Sequence, residues 1–206
     1  MDFLSIEALA LDLRRGAGFL DDENVFVSEV IAHWLGDDGV ELVPTMLGRA
    51  ALIRANGRYR IVAKSGATDL RFALAHELGH WALRVHAGAT FDHRASEECA
   101  ANTFAAVLLA PGALVQKAYA FFGERHETIA TKLSISQTAT VLRLGEVRGD
   151  PRAVVTRSGH VFVRNQNAVL DGPRAVRAAR GVAGRGLAKA RLRGGIDEGR
   201  VALRAV

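Results

Sequence analysis

The chain has one cysteine, Cys99, so no internal disulfide can form. A single thiol fits a reducing compartment. Long apolar runs are absent too. The longest candidate, residues 104–110, falls far short of the ~20 residues of a membrane span, and Pro111 ends it. The first residues, Met-Asp-Phe-Leu-Ser-Ile-Glu, are acidic where a secretory signal would be basic. These absences lead to the expectation of a cytoplasmic protein with no membrane partner. Internal repeats are also missing. Methionine is scarce, and both copies, Met1 and Met46, lie early in the chain.

What is present describes a globular protein: 206 residues, 49% hydrophobic and 24% charged. That length suits one domain with a real core, or one domain and a small appendage. Charge is uneven. Residues 152–206 hold 12 Arg or Lys against 3 Asp or Glu, net +9, whereas residues 1–151 hold 15 against 19, net −4. A basic end on a mildly acidic body suggests two functional parts, although a solvated basic face explains the same numbers.

Apolar spacing predicts a helix over residues 3–15, ended by Gly16 and Gly18, and a second over 25–35, with Asp21-Asp22-Glu23 placed to favour its N-terminus. Residues 40–43 read as a strand. Residues 49–63 read as a β-hairpin about Asn56-Gly57, a strong turn signal. Its second strand leads into the next helix and is expected to form a sheet edge open to strand addition by a peptide. Residues 84–95 read as a loop and 96–110 as an Ala-rich helix stopped by Pro111-Gly112, with another helix over about 112–122. Residues 127–147 suggest two short helices about Ser134-Ile135-Ser136. Further on, 153–156 and 161–164 flank Ser158-Gly159 as a second hairpin, and 200–205 read as a last strand.

The most informative stretch is His76-Glu77-Leu78-Gly79-His80, an H-E-x-x-H pattern. On a helix, residues i and i+4 lie about 40° apart around the axis, so both imidazoles reach one side. Two imidazoles there can hold one Zn²⁺ and leave room for a third ligand and a water. Glu77 is close enough to act as general base on that water. The flanks, Phe72, Leu74, Ala75, Leu78, Ala82 and Leu83, are apolar and helix-forming. Gly79 is roughly 1 kcal/mol worse than Ala in mid-helix, so it is expected to serve close packing.

Four residues compete as third ligand. His86 has the spacing of the longer motif H-E-x-x-H-x-x-G-x-x-H, but Leu83 stands where that motif needs Gly, and no methionine follows for its Met-turn. Glu97 and Glu98 open the next helix, where acids are also favoured by the helix dipole. Glu98 ranks first, because Asn102 lies one turn later on the same face and could hydrogen-bond a ligating side chain. Glu97 ranks second. Cys99 ranks third, since thiolate donation weakens a Lewis acid.

Together, Arg71-Phe72-Ala73-Leu74-Ala75-His76-Glu77-Leu78-Gly79-His80 and Glu98-x-x-Ala101-Asn102-x-Phe104-Ala105-Ala106-x-Leu108-Leu109-x-Pro111 resemble the ImmA/IrrE metallopeptidases, zinc proteases of the gluzincin kind. The resemblance is strong over 71–111 and weaker over 49–70. It extends to 127–147, where Ile129-Ala130-x-x-Leu133-x-Ile135-Ser136 and Arg143-Leu144-Gly145 are similar to a helix-turn-helix-like segment. Ala110 stands where the family most often has Met. The resemblance implies an α+β fold with a zincin-like metallopeptidase core over 1–126, carrying a small β-sheet and the H-E-x-x-H helix. A helix-turn-helix-like segment would follow at 127–150, then a small basic β-containing region at 151–206. It also implies that His76, His80 and Glu98 bind Zn²⁺ and that Glu77 is catalytic. The implied activity is that of a cytoplasmic endopeptidase cleaving an XRE-type helix-turn-helix repressor or antitoxin, and so derepressing genes. The region after residue 150 has no counterpart in the resemblance.

Two other readings compete. A DNA-binding regulator would use the helix-turn-helix-like segment and the basic C-terminus. However, residues 134–139 offer few side chains that read base edges, and the basic region lacks interleaved aromatics for base stacking. An interaction module with a structural metal would need four protein ligands, and only three emerge. Peptide hydrolysis also needs an oxyanion donor. Tyr119, His126 and His93 are candidates among which the sequence does not choose.

Overall fold

The computed structural model describes residues 2–149 and the backbone of three later strands, 152–155, 161–165 and 168–170. The hairpin turn expected at Ser158-Gly159 and the strand expected at 200–205 lie outside the described residues. The fold is mixed α and β. The chain divides into two compact units, Met1–Leu114 and Val115–Val206.

The first unit opens with helices α1 (Phe3–Gly16) and α2 (Val27–Leu35). Asp2 caps α1 by accepting from the Ser5 amide at 2.8 Å. The acidic run does not cap α2. Instead Asp21 pairs with Arg15, and Glu23 accepts from the Leu20 amide at 2.6 Å, so these acids bind the connecting loop together. Three strands follow: β1 (Val40–Val43), β2 (Ala50–Ala55) and β3 (Arg58–Lys64). β2 and β3 pair antiparallel about Asn56 and Gly57, whose φ angles of +52° and +77° are those of a type I′ turn. β1 pairs with β3 in parallel, giving the order β1-β3-β2. This corrects one expectation: β3 is the central strand, and the edge beside the following helix is β2.

Helix α3 (Leu70–Trp81) carries the H-E-x-x-H residues. It is buried on most sides through Ala73, Leu74, Ala75, Leu78 and Trp81. Polar side chains on such a helix must find partners or stay costly. The helix does not give way to a loop at residue 84. It widens into one π-helical turn, Ala82–His86. Helix α4 (Arg94–Leu109) then packs against α3 through Ala101, Phe104 and Ala105. Gly79 makes this contact close, as expected. A Cβ built there would meet Phe104 Cδ1 at 3.0 Å and backbone atoms of Ala101 at 3.2 and 3.3 Å. On the far side, fully buried Arg14 of α1 donates to the carbonyl oxygens of Leu108 (2.7 Å), Glu23 (2.8 Å) and Leu20. The Leu108 carbonyl belongs to the last turn of α4, which has no intrahelical donor, so Arg14 caps that helix end. Burial lowers the Arg14 pKa, opposed by the charges of Asp21 and Glu23.

The boundary between the units falls within α5 (Gly112–Phe122). The second unit continues with α6 (His126–Leu133) and α7 (Gln137–Arg148). Ser134 turns the chain with φ +50°, and Ser136 caps α7 by accepting from the Ala139 amide at 3.1 Å. These are the two helices expected about Ser134–Ser136. Strands β4 (Arg152–Val155), β5 (Val161–Asn165) and β6 (Ala168–Leu170) form an antiparallel sheet in the order β4-β5-β6, and α7 packs on β4 and β5.

Candidate metal centre

His76 and His80 lie one turn apart on α3, with their Nε2 atoms 3.1 Å from each other. From α4, Glu98 brings Oε2 to 3.2 Å from His76 Nε2 and Oε1 to 3.8 Å from His80 Nε2. One ligand atom from each of the three lies within 4.8 Å of the others. The histidine side chains are 16% and 14% exposed and Glu98 is 40% exposed, so the cluster opens to solvent on the Glu98 side. There Arg94 Nε approaches Glu98 Oε1 at 3.6 Å.

The backs of both rings are held by oxygens. Asn102 Oδ1 lies 3.1 Å from His76 Nδ1, and Glu97 Oε1 lies 2.8 Å from His80 Nδ1. An ionised carboxylate only accepts, so His80 Nδ1 carries the hydrogen, and the Asn102 oxygen asks the same of His76. In the neutral rings both Nε2 atoms then present lone pairs towards each other and towards a carboxylate. Three acceptors face one point with no donor among them. A cation reconciles that arrangement, and the two imidazoles and one carboxylate suit Zn²⁺ in an open site.

Glu97 is buried and also accepts from Arg84. Burial pushes its pKa up, but the hydrogen bonds from His80 and Arg84 outweigh this and hold it below the ordinary carboxylate value. Glu77 follows His76 on α3, and its Oε2 accepts from the backbone N–H of Leu52 at 2.8 Å. The Lys64 amide at the end of β3 bonds to the Arg49 carbonyl just before β2 at 2.8 Å, and Leu52 of β2 is paired with Ile61. By antiparallel alternation the Leu52 N–H therefore points away from β3, out of the sheet edge. Glu77 occupies that edge group.

The structure thus brings His76, His80 and Glu98 together, with Glu77 on the same helix and Asn102 behind His76. Glu97 does not join the ligand cluster but stands behind His80, and Cys99 is not part of the cluster either. His86 ends the π turn and packs its ring on Trp34 and Trp81, at centroid distances of 5.1 and 5.6 Å. Of the oxyanion candidates, His93 is the residue preceding α4, while Tyr119 and His126 belong to the second unit, where both bond Glu124. Sequence reasoning missed the parts played by Arg84 and the Leu52 amide. Arg84 stands four residues after His80, a spacing that could have been noticed. A backbone donor leaves no signal in side-chain identities.

Residues 46–145 match the family model described as the IrrE N-terminal-like domain, a peptidase family, so the resemblance read from the two helices holds across that stretch. No curated protein matches the chain significantly. Eleven chains of solved structures match. One is a Mycobacterium tuberculosis transcriptional regulator, 13% identical with a TM-score of 0.58, aligned over 80% of this chain and 56% of its own length. At that identity the likeness shows the fold. The chain spans little more than half the length of that structure.

Proposed function

We propose that this chain, whose residues 46–145 match a peptidase family, is a zinc-dependent endopeptidase with His76, His80 and Glu98 as metal ligands and Glu77 as catalytic base. The observation that carries the reading is the convergence of two imidazole Nε2 atoms and one carboxylate with no donor between them. When bound, Zn²⁺ supplies Lewis acidity towards a carbonyl oxygen and lowers the pKa of a water towards about 7. Glu77 takes a proton from the attacking water and delivers it to the leaving amine. Its bond to the Leu52 amide fixes the carboxylate beside the sheet edge. The remaining outward backbone groups of β2, at Ala50 and Arg54 and the Leu52 carbonyl, can align an extended peptide by strand addition. A chain bound that way must be extended, so cleavage falls in a loop or a locally unfolding segment of the substrate.

The substrate class rests on the family resemblance: an XRE-type helix-turn-helix repressor or antitoxin in the cytoplasm. Among the described residues no single helix is long and apolar enough to cross a membrane. The zinc-loaded protein, incubated with the product of its adjacent regulator gene, should yield two fragments by mass spectrometry, and Glu77→Gln should yield none. Many scattered cuts, or efficient digestion of unrelated unfolded proteins, would point to a general peptidase.

A DNA-binding regulator is the second reading, favoured by the α6–turn–α7 geometry and by the printed name of the solved structure that shares the fold. Against it, Arg143 of α7 is buried and paired with Glu146 at 2.6 Å, so it cannot read base edges. Salt-dependent DNA binding by the purified protein is its test.

A further inference from the structure

We infer that Glu97, held by Arg84, is the positioning residue for His80, fixing its tautomer and its aim as a metal ligand. This rests on reading His76, His80 and Glu98 as the metal centre. The two histidines are supported differently. His76 is backed by the neutral amide of Asn102 at 3.1 Å, whereas His80 is backed by a buried carboxylate at 2.8 Å. The Glu97 side chain is only 7% exposed. A carboxylate at that depth is expensive unless charge and hydrogen bonds compensate it. Both its oxygens are engaged, Oε1 with His80 and Oε2 with the Arg84 guanidinium.

The arrangement has two consequences. The acceptor-only carboxylate keeps the hydrogen on His80 Nδ1 and leaves Nε2 free to face Glu98 and His76. It also increases the donor strength of that ring more than an amide can, so His80 is the stronger of the two imidazole donors. Arg84, 61% exposed, pulls on the carboxylate from the solvent side and limits its rotation. Adjacent positions on a helix point about 100° apart. The Glu97-Glu98 pair at the start of α4 therefore serves the back of one ring with one carboxylate and the front of the cluster with the other.

Two readouts test this: zinc affinity by chelator competition, and the His80 tautomer by ¹⁵N NMR of the metal-free protein at a pH where the rings are neutral. Glu97→Ala should bind one zinc per chain about 10–100-fold more weakly, the loss typical of removing such a support. Its His80 ring should drift towards the Nε2–H form. Glu97→Gln, which keeps an acceptor oxygen but no charge, should fall between it and wild type. Arg84→Met, at an exposed position, should keep the tautomer and lose affinity by a few-fold. A role confined to packing would lower stability and move neither readout. Should Glu97→Ala not fold, the Gln and Arg84 variants carry the same test. Wild-type zinc affinity and tautomer in the folded Glu97 variants would overturn the inference. If Glu98→Ala keeps full zinc affinity, the metal-centre reading itself fails, so the two failures are distinguishable.

Discussion

Replacing Gly79 with Val tests whether the α3–α4 approach sets the ligand geometry. The Gly79 position faces Phe104 Cδ1 at 3.0 Å and the Ala101 backbone at 3.2 and 3.3 Å, against the ≈ 3.5–4.0 Å of an ordinary carbon contact. The Phe104 ring can rotate, but the Ala101 backbone cannot, so the helices must part by a few tenths of an ångström for one carbon and further for Val. Overpacking of this kind costs about 1–3 kcal/mol. Removing Gly from mid-helix returns a few tenths. The net loss is about 1–2.5 kcal/mol, which for a chain of this size lowers Tm by roughly 2–10 °C. Because His76 and His80 ride on α3 and Glu98 on α4, the same separation should weaken zinc binding. Thermal denaturation of the metal-free protein and chelator competition measure the two effects. Gly79→Val with wild-type Tm and wild-type zinc affinity would refute the idea that helix spacing holds the centre together.

Glu77→Gln should keep fold and zinc, because the amide has nearly the shape of the acid, and should lose about 10²–10⁴ in cleavage rate. Arg14→Met should destabilise the protein by about 3–5 kcal/mol in urea unfolding, since it strands the carbonyls of Leu20, Glu23 and Leu108. Arg60, hydrogen-bonded to Asp38 at 2.6 Å, holds that carboxyl below its ordinary pKa. The pair's small contribution is thus present above the unfolded value of about 3.9 and lost as pH falls through the lowered one. The Tm gap between wild type and Arg60→Met should accordingly shrink from pH 7 to pH 3. If the basic region beyond residue 151 recruits the substrate, binding to the natural partner should weaken as salt rises.

The grouping of His76, His80 and Glu98 was legible because it depends on spacing. Residues four apart on a helix must share a side, so His76 and His80 read out directly, and a carboxylate from a second helix followed with Asn102. The Asn56-Gly57 hairpin and the Ser134–Ser136 turn were legible for a similar local reason, since their backbone angles favour those residue types. What stayed hidden was non-local. Nothing in residues 40–43 says that they pair in parallel with β3, and that pairing moves the edge from β3 to β2. The π turn after Trp81 ends at His86, whose ring packs on Trp34 from a distant part of the chain, a contact that local spacing does not announce. Glu97 and Glu98 are chemically identical, and only the placement of α4 on α3 sends one behind His80 and the other in front.

The central claim is that His76, His80 and Glu98 hold one zinc ion. Elemental analysis of the purified protein beside Glu98→Ala and Glu97→Ala tests it most directly. The account predicts one zinc per chain in wild type, a nearly metal-free Glu98→Ala, and a Glu97→Ala that still reaches one per chain when zinc is in excess. A Glu98→Ala protein that retains its full zinc, beside a Glu97→Ala protein that loses it, would contradict the assignment.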